Sequence, residues 1–147
     1  PPPPHSHHPP TTDIYTRVGS SAASDVYKRQ ELCDVILANC YPYWEGCPME
    51  YSLGHMQQMF GQASHAANGK KVIITETGWP SQGTGLKGAM PSGGNAMKYF
   101  INAQVWSAKQ NIEMFYFSSF DESWKVGPEG DVGAYWGLWD KHEKLKF

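Results

Sequence analysis

Residues 31–147 of this 147-residue chain predict an α/β fold built on parallel strands. Three short runs, Val35–Ala38, Val72–Thr75 and Met114–Ser119, are rich in apolar or β-branched residues and read as strands. Two segments with apolar residues at helical spacing lie between them. The resulting order, strand, helix, strand, helix, strand, calls for parallel strands joined by right-handed crossovers. Such sheets are either open and doubly wound or closed into eight-stranded barrels, and in both the chemistry sits at the carboxyl ends of the strands.

Each element has a local reason. In "CDVILANCYPYWEG" an apolar run ends in a polar and aromatic turn. Next, "YSLGHMQQMFGQASHAANGK" sets Leu53, Met56, Phe60, Ala63 and Ala67 at helical spacing, with Ser52 as the expected N-cap and Gly69 after the last turn. "VIIT" then reads as a strand buried on both faces. After a Gly- and Ser-rich loop from Ser81 to Gly94, the helical pattern returns through Met97, Phe100, Ile101, Val105 and Ala108. Met56, Met59 and Met97 are expected in the core. The last strand, "MFYFSS", leads into a long polar and aromatic tail in which Trp136 and Trp139 are expected to pack the closing segment.

The first thirty residues share nothing with this pattern. "PPPPHSHHPP" precedes "TTDIYTRVGSSAASDVYKRQ", and Ser20 to Gln30 can be back-translated into a string resembling a widely used transposase sequencing adapter. Residues 1–30 are therefore expected to be a non-native leader, with 31–147 as the C-terminal part of a larger domain. The rival reading is a metal-binding tail through His5, His7 and His8.

Composition narrows the function classes. The chain is 40% hydrophobic and 14% aromatic with a formal net charge of −2, which gives no support for nucleic acid or an anionic membrane as partner. No apolar run approaches the roughly 20 residues a membrane span needs, and nothing at the start resembles a secretion signal. Cys33, Cys40 and Cys47 lie seven residues apart, which suits neither zinc nor a redox pair, and are expected to be ordinary buried or half-buried thiols. His55, His65 and His142 are scattered, so no metal is expected. "SQGTGLKG" lacks the ending of a phosphate cradle, and no cofactor is expected.

The strand ends carry Asn39, Tyr41, Tyr43 and Trp44, then Glu76 and Trp79, then Phe120, Asp121, Glu122, Trp124 and Lys125. Carboxylates beside Tyr and Trp faces suit a carbohydrate, because the rings offer flat apolar area and their polar atoms bond the sugar's edges. A charge at the mouth of a buried strand must be paired, neutralised or used, so Glu76 reads either as a structural ion-pair member or as one of the two carboxyl groups glycoside hydrolysis needs.

At this point three motifs carry a family resemblance. "VIITETGWPS" resembles the nucleophile motif of glycoside hydrolase family 17, which acts on β-1,3-glucans. "DVILANCYPYWEG" is similar to the family's sixth barrel strand, and "MFYFSSFDESWK" with "EGDVGAYWGLWD" to its eighth strand and closing segment. The resemblance implies a partial (β/α)8 TIM barrel covering strands six to eight, with Glu76 as nucleophile. It implies substrate contacts from Asn39, Tyr41 and Tyr43 and a site floor of Glu122 and Lys125. From their place on the rim, Phe120 is a further candidate contact, Trp79 and Trp124 either touch substrate or only wall the site, and Glu129 is a candidate rim contact. Lys125 either sustains the charge on a nearby glutamate or pairs with Glu122 to hold the loop. The family's acid/base glutamate, on strand four, has no counterpart in 31–147. The implied partner is a β-glucan polysaccharide or oligosaccharide, the complete protein is expected to be a monomer, and the expected location is secreted or cell-wall associated. A non-catalytic glucan-binding barrel and a glucanosyltransferase are the alternatives.

Overall fold

A computed structural model describes residues 33–127 and 129–147; the expectations for residues 1–30 lie outside the described residues. Strand β1 spans Val35–Asn39, helix α1 Met49–Ala66, strand β2 Lys71–Thr77, helix α2 Gly93–Gln110 and strand β3 Met114–Tyr116. The strands form one parallel sheet in the order β1-β2-β3. Short 3₁₀ turns at Ser123–Lys125 and Asp131–Ala134 follow.

One face of the sheet is covered by both helices. Ile36, Ala38, Val72 and Ile74 pack with Met56 and Ala63 of α1, with its C-cap Ala67, and with Tyr99 and Ala103 of α2. Between the helices, Phe60 and Trp106 meet edge-on at 5.6 Å. Thr77 closes this layer: it is fully buried, and its hydroxyl lies 2.6 Å from the Tyr99 hydroxyl and 3.5 Å from Met56 Sδ. The opposite face is open, with Val35, Leu37 and Phe115 exposed. Strand β2 is therefore not buried on both faces as the sequence predicts, since Ile73 and Thr75 on the open side are only half-buried.

A bulge interrupts the alternation of β2. Ala38 pairs with Ile74 but the next residue, Asn39, pairs with Glu76, and on the other side Ile74 and Thr77 pair with Met114 and Tyr116. One extra residue in β2 thus shifts the register against both neighbours. In an uninterrupted strand Glu76 would share the helix-covered face with Ile74. The bulge turns Glu76 to the open side beside Asn39 and returns Thr77 to the core.

Several local expectations need correction. Ser52 is not the N-cap of α1, because the helix begins earlier, behind Pro48; Ser52 is buried within it and its hydroxyl donates to Met49 O at 2.7 Å. At the other end Asn68 and Gly69 take positive φ, which stops the helix where the sequence places the stop. Helix α2 is capped by Ser92, whose side chain accepts from Asn95 N. Its buried stripe is Ala96, Tyr99, Ala103 and Ser107, not the larger Met97, Ile101 and Val105, which are exposed. Small residues there let the helix approach the sheet closely. Strand β3 ends at Tyr116 because the chain then leaves the ladder to pair with the closing segment: Ser118 N donates to Trp136 O, and Leu138 N to Ser118 O. No disulfide joins the three cysteines; Cys40 is buried, with its pKa pushed up to about 12 by burial, whereas Cys33 is exposed.

The Thr77–Tyr99 pair supplies a test. Thr77→Val or Tyr99→Phe leaves one buried hydroxyl without its partner, an expected loss of about 1–3 kcal/mol each. The double substitution removes both groups and is expected to cost less than the sum. Equilibrium urea unfolding of the three variants in the complete protein checks this, and additive losses would show that the hydroxyls share no bond.

Candidate active site

The carboxyl ends of the strands converge around Glu76. Asn39 Nδ2, at the end of β1, donates to Glu76 Oε2 at 3.2 Å, and the Tyr41 hydroxyl donates to the same oxygen at 3.1 Å. Thr75, the other residue of the bulge, donates from Oγ1 to Asn39 Oδ1 at 2.8 Å, which orients the amide with its N–H groups toward the carboxylate. Both donors to Glu76 thus use one oxygen, and Oε1 has no donor among the described residues. Burial, then the Glu76 charge and its hydrogen bond, push the Tyr41 phenol far up, so it stays protonated and remains a donor.

Glu76 lines a cleft of about 280 Å³ with Tyr41, Trp44, Phe117, Lys125, Glu129 and Trp136. Trp136 is the hub of its wall. The rings of Tyr41, Tyr43 and Phe117 stand edge-on to it with centroids at 5.5, 5.4 and 6.1 Å, and Trp44 lies tilted at 5.4 Å. Gly78, two residues after Glu76, makes the close approach of the chain just after β3 feasible: a Cβ there would lie 2.0 Å from Phe117 O.

On the far side Lys125 Nζ pairs with Glu122 Oε2 at 2.7 Å and sits 4.2 Å above the Phe117 ring and 5.2 Å from the Trp124 ring. This pairing with Glu122 fits both readings of Lys125, and the rings add a cation–π contact. Glu129 completes the rim. Burial pushes its carboxyl up, Lys125 opposes that, and the charges of Glu122 and Glu76 add to it. Behind the cleft Asp131 anchors the loop after β2, accepting from Thr84 N at 3.0 Å and Thr84 Oγ1 at 2.8 Å; these bonds hold its carboxyl below the usual range.

The expected site residues divide into two groups. Asn39, Tyr41, Glu76, Glu122 and Lys125 are brought together. Tyr43 and Trp79, expected as substrate contacts, are buried in the aromatic core and do not line the cleft: the Tyr43 hydroxyl donates to Thr84 O and the Trp79 indole to Met90 O. Phe120 packs on Trp139 and Trp124 is 72% exposed; neither lines the cleft. Conversely Phe117 and Trp136 line it although the sequence reading put neither among the candidates. Phe117 sits at the end of a strand run and was within reach of that rule. Trp136 arrives from a segment that folds back, for which no local pattern exists.

The model of the BtgE/BtgC glycoside hydrolase domain matches residues 11–137. The chain belongs to this glycoside hydrolase family. It is 30% identical over 125 residues to a glucan 1,3-beta-glucosidase of Saccharomyces cerevisiae, covering 80% of this chain and 40% of the yeast protein. Among solved structures it is similar to the glycoside hydrolase family 17 beta-1,3-glucanosyltransferase from Rhizomucor miehei, with a TM-score of 0.74, 31% identity, and coverage of 79% of this chain and 42% of that one. An active-site mutant of the same enzyme in complex with laminaritriose matches at a TM-score of 0.74 and 30% identity over the same shares. The chain therefore spans about 40% of the length of these relatives. The family resemblance read from the three motifs holds, and the parallel α/β fold is that of the corresponding part of such enzymes. No helix among the described residues is long and apolar enough to cross a membrane.

The raised pKa of Glu129 gives a pH signature for this glycoside hydrolase segment. A carboxyl whose folded pKa lies above its unfolded value favours the folded state below the unfolded pKa, and that contribution is lost as pH rises through the folded value. Glu129→Gln is thus expected to raise the Tm relative to the parent at pH 7, with the difference vanishing near pH 4. Thermal unfolding of the complete protein across that range checks it, and a Tm difference independent of pH would contradict the shift.

Proposed function

We propose that the chain is the nucleophile-bearing part of a retaining β-1,3-glucan-active glycoside hydrolase, with Glu76 as the nucleophile. The observation that carries this reading is the Glu76 carboxylate, turned out of the core by the bulge, held through one oxygen by Asn39 and Tyr41, and set in an aromatic-walled cleft. Asn39 and Tyr41 position it. Lys125, Glu122 and Glu129 form the polar side of the sugar site, and Trp44, Phe117 and Trp136 its apolar side. Trp124 and Phe120, exposed beyond the cleft, are outer contacts for a longer glucan.

In this reading the three strands are the sixth to eighth of a (β/α)8 barrel. The open face with Val35, Leu37 and Phe115 then belongs to the barrel interior. Catalysis needs a second carboxyl group about 5 Å from the nucleophile, which we assign to the fourth strand, outside residues 31–147. Residues 1–30 are a non-native leader in this account. The 147-residue chain alone is expected to be inactive and poorly folded, since a three-stranded piece leaves two open edges.

The chemistry follows from these roles. Glu76 Oε1 attacks the anomeric carbon, the bond to the leaving glycosyl oxygen breaks, and that oxygen takes a proton from the second carboxyl group. The resulting carboxylate then removes a proton from an acceptor hydroxyl, which attacks the anomeric carbon and frees Glu76. Water as acceptor makes a hydrolase and a glucan hydroxyl makes a glucanosyltransferase. The likeness to the Rhizomucor miehei enzyme favours weighing the second outcome, and chain lengthening from laminaritriose would distinguish it from simple cleavage. In this reading the setting is secreted or cell-wall associated, where a β-1,3-glucan substrate would be met.

Glu76→Gln in the complete enzyme tests the reading. Turnover of laminarin is expected to fall by roughly 10³-fold or more, while laminaritriose binding persists within a few-fold. Turnover that survives the substitution would remove Glu76 from the chemistry, and a parent protein that binds glucan without turnover would leave the non-catalytic barrel as the better account.

A further inference from the structure

The C-terminal segment carries a buried cation for which the chemistry above has no use. Lys146 Nζ donates to Asp121 Oδ1 at 2.7 Å, to Ser81 Oγ at 2.7 Å and to Tyr135 O at 3.3 Å. An ammonium has three N–H donors and no acceptor, so all three are matched. The side chains of Lys146 and Asp121 are only 11% and 8% exposed. The backbone holds the residue in place: Lys146 N donates to Leu138 O, and Leu145 bridges to Trp139.

The three acceptors come from the three segments that flank the cleft. Ser81 follows β2 and its Glu76. Asp121 immediately precedes Glu122, the partner of Lys125. Tyr135 immediately precedes Trp136, the hub of the aromatic wall. Shorter links run between the same segments. Ser81 N and Oγ both donate to Tyr135 O, at 2.9 and 3.0 Å, and Gly137 N donates to Asp121 Oδ1 at 3.0 Å. Gly137 is required for that meeting, because a Cβ there would lie 2.2 Å from Asp121 N.

We propose that Lys146 is a positioning residue of the glucan site: one buried ammonium fixes the Lys125 side and the Trp136 wall of the cleft relative to the strand that carries Glu76. The proposal rests on the glucan-site reading above. Removing one member of a buried charged pair leaves the other uncompensated, so Asp121 and the segments it joins would loosen without Lys146. Glu76 would loosen less, since β2 and the Asn39 amide hold it from outside those segments. The loss therefore falls on substrate binding more than on the chemical step.

The test uses Lys146→Met, which keeps most of the stem and removes the charge, and Ser81→Ala, which removes one arm together with the Ser81 Oγ bond to Tyr135 O and spares the ion pair. Steady-state kinetics on laminarin are measured in the complete enzyme well below its unfolding transition, with amide hydrogen exchange read by mass spectrometry. For Lys146→Met we expect KM to rise roughly fivefold or more with kcat within about twofold. Exchange is expected to quicken over residues 121–126 and 134–137 but not in β1 or β2. Ser81→Ala is expected to move both readouts in the same direction by less, and decides the matter should Lys146→Met fail to fold. A fall in Tm with KM and rim exchange unchanged in either folded variant would make Lys146 a purely structural tether and overturn the proposal. If the parent enzyme does not turn over laminarin, the glucan reading fails, and rim exchange alone then decides whether Lys146 sets the cleft walls.

Discussion

The bulge at Thr75 and Glu76 is the constraint on which the rest of the site depends. A parallel strand covered by helices must give its helix-facing positions to the core, and in β2 that rule would claim Glu76 along with Val72 and Ile74. A bare carboxylate there would need a buried partner, and none of the groups packed at that position is cationic. One inserted residue resolves the conflict. It aims Glu76 at Asn39 and Tyr41, sends the neutral Thr77 hydroxyl inward to Tyr99, and leaves the ladder intact on either side, with Cys40 N bonding Glu76 O and Phe117 N bonding Thr77 O. The same small shift therefore serves packing and chemistry at once.

Around that carboxylate the chain builds two unlike walls. The aromatic wall of Trp44, Phe117 and Trp136 is stiff because each ring is locked edge-on or tilted against its neighbours. The opposite wall is ionic, with Lys125 shared between Glu122 and the Phe117 face and Glu129 beside it. A pyranose ring has the matching anisotropy, with apolar faces and a hydroxylated edge. Neither wall belongs to one element, and the segments that carry them are joined behind the cleft by Asp131 with Thr84 and by Lys146 with Asp121.

Much of this was legible in the sequence where a signal is local. The three strands, the two helices and the convergence of Asn39, Tyr41, Glu76, Glu122 and Lys125 follow from periodicity and from where each run stops. What escaped depends on partners distant in the chain. Trp79 stands three residues after Glu76 and reads as a site residue, yet its indole N–H is satisfied by Met90 O in the core. Trp136 reads as packing but forms the wall, because a segment twenty residues beyond β3 folds back over the strand ends. On α2 the period was right and the face wrong: Met97, Ile101 and Val105 are the more hydrophobic stripe, whereas the sheet accepts only the smaller residues around Tyr99. The bulge itself has no signature in composition, since "VIITET" is as good a regular strand as a bulged one.

The central claim is that Glu76 forms the covalent bond to the sugar. The most direct measurement is trapping of the complete enzyme with a 2-deoxy-2-fluoro laminaribiosyl fluoride, followed by peptide mass spectrometry, since the 2-fluorine slows both formation and release of the glycosyl-enzyme whereas the good fluoride leaving group restores formation alone, so the covalent species accumulates. The account predicts one added disaccharide unit on the peptide containing Glu76, with activity lost in proportion. A label on Glu122 or Glu129, or an enzyme that turns over laminarin yet takes no label at Glu76, would contradict it.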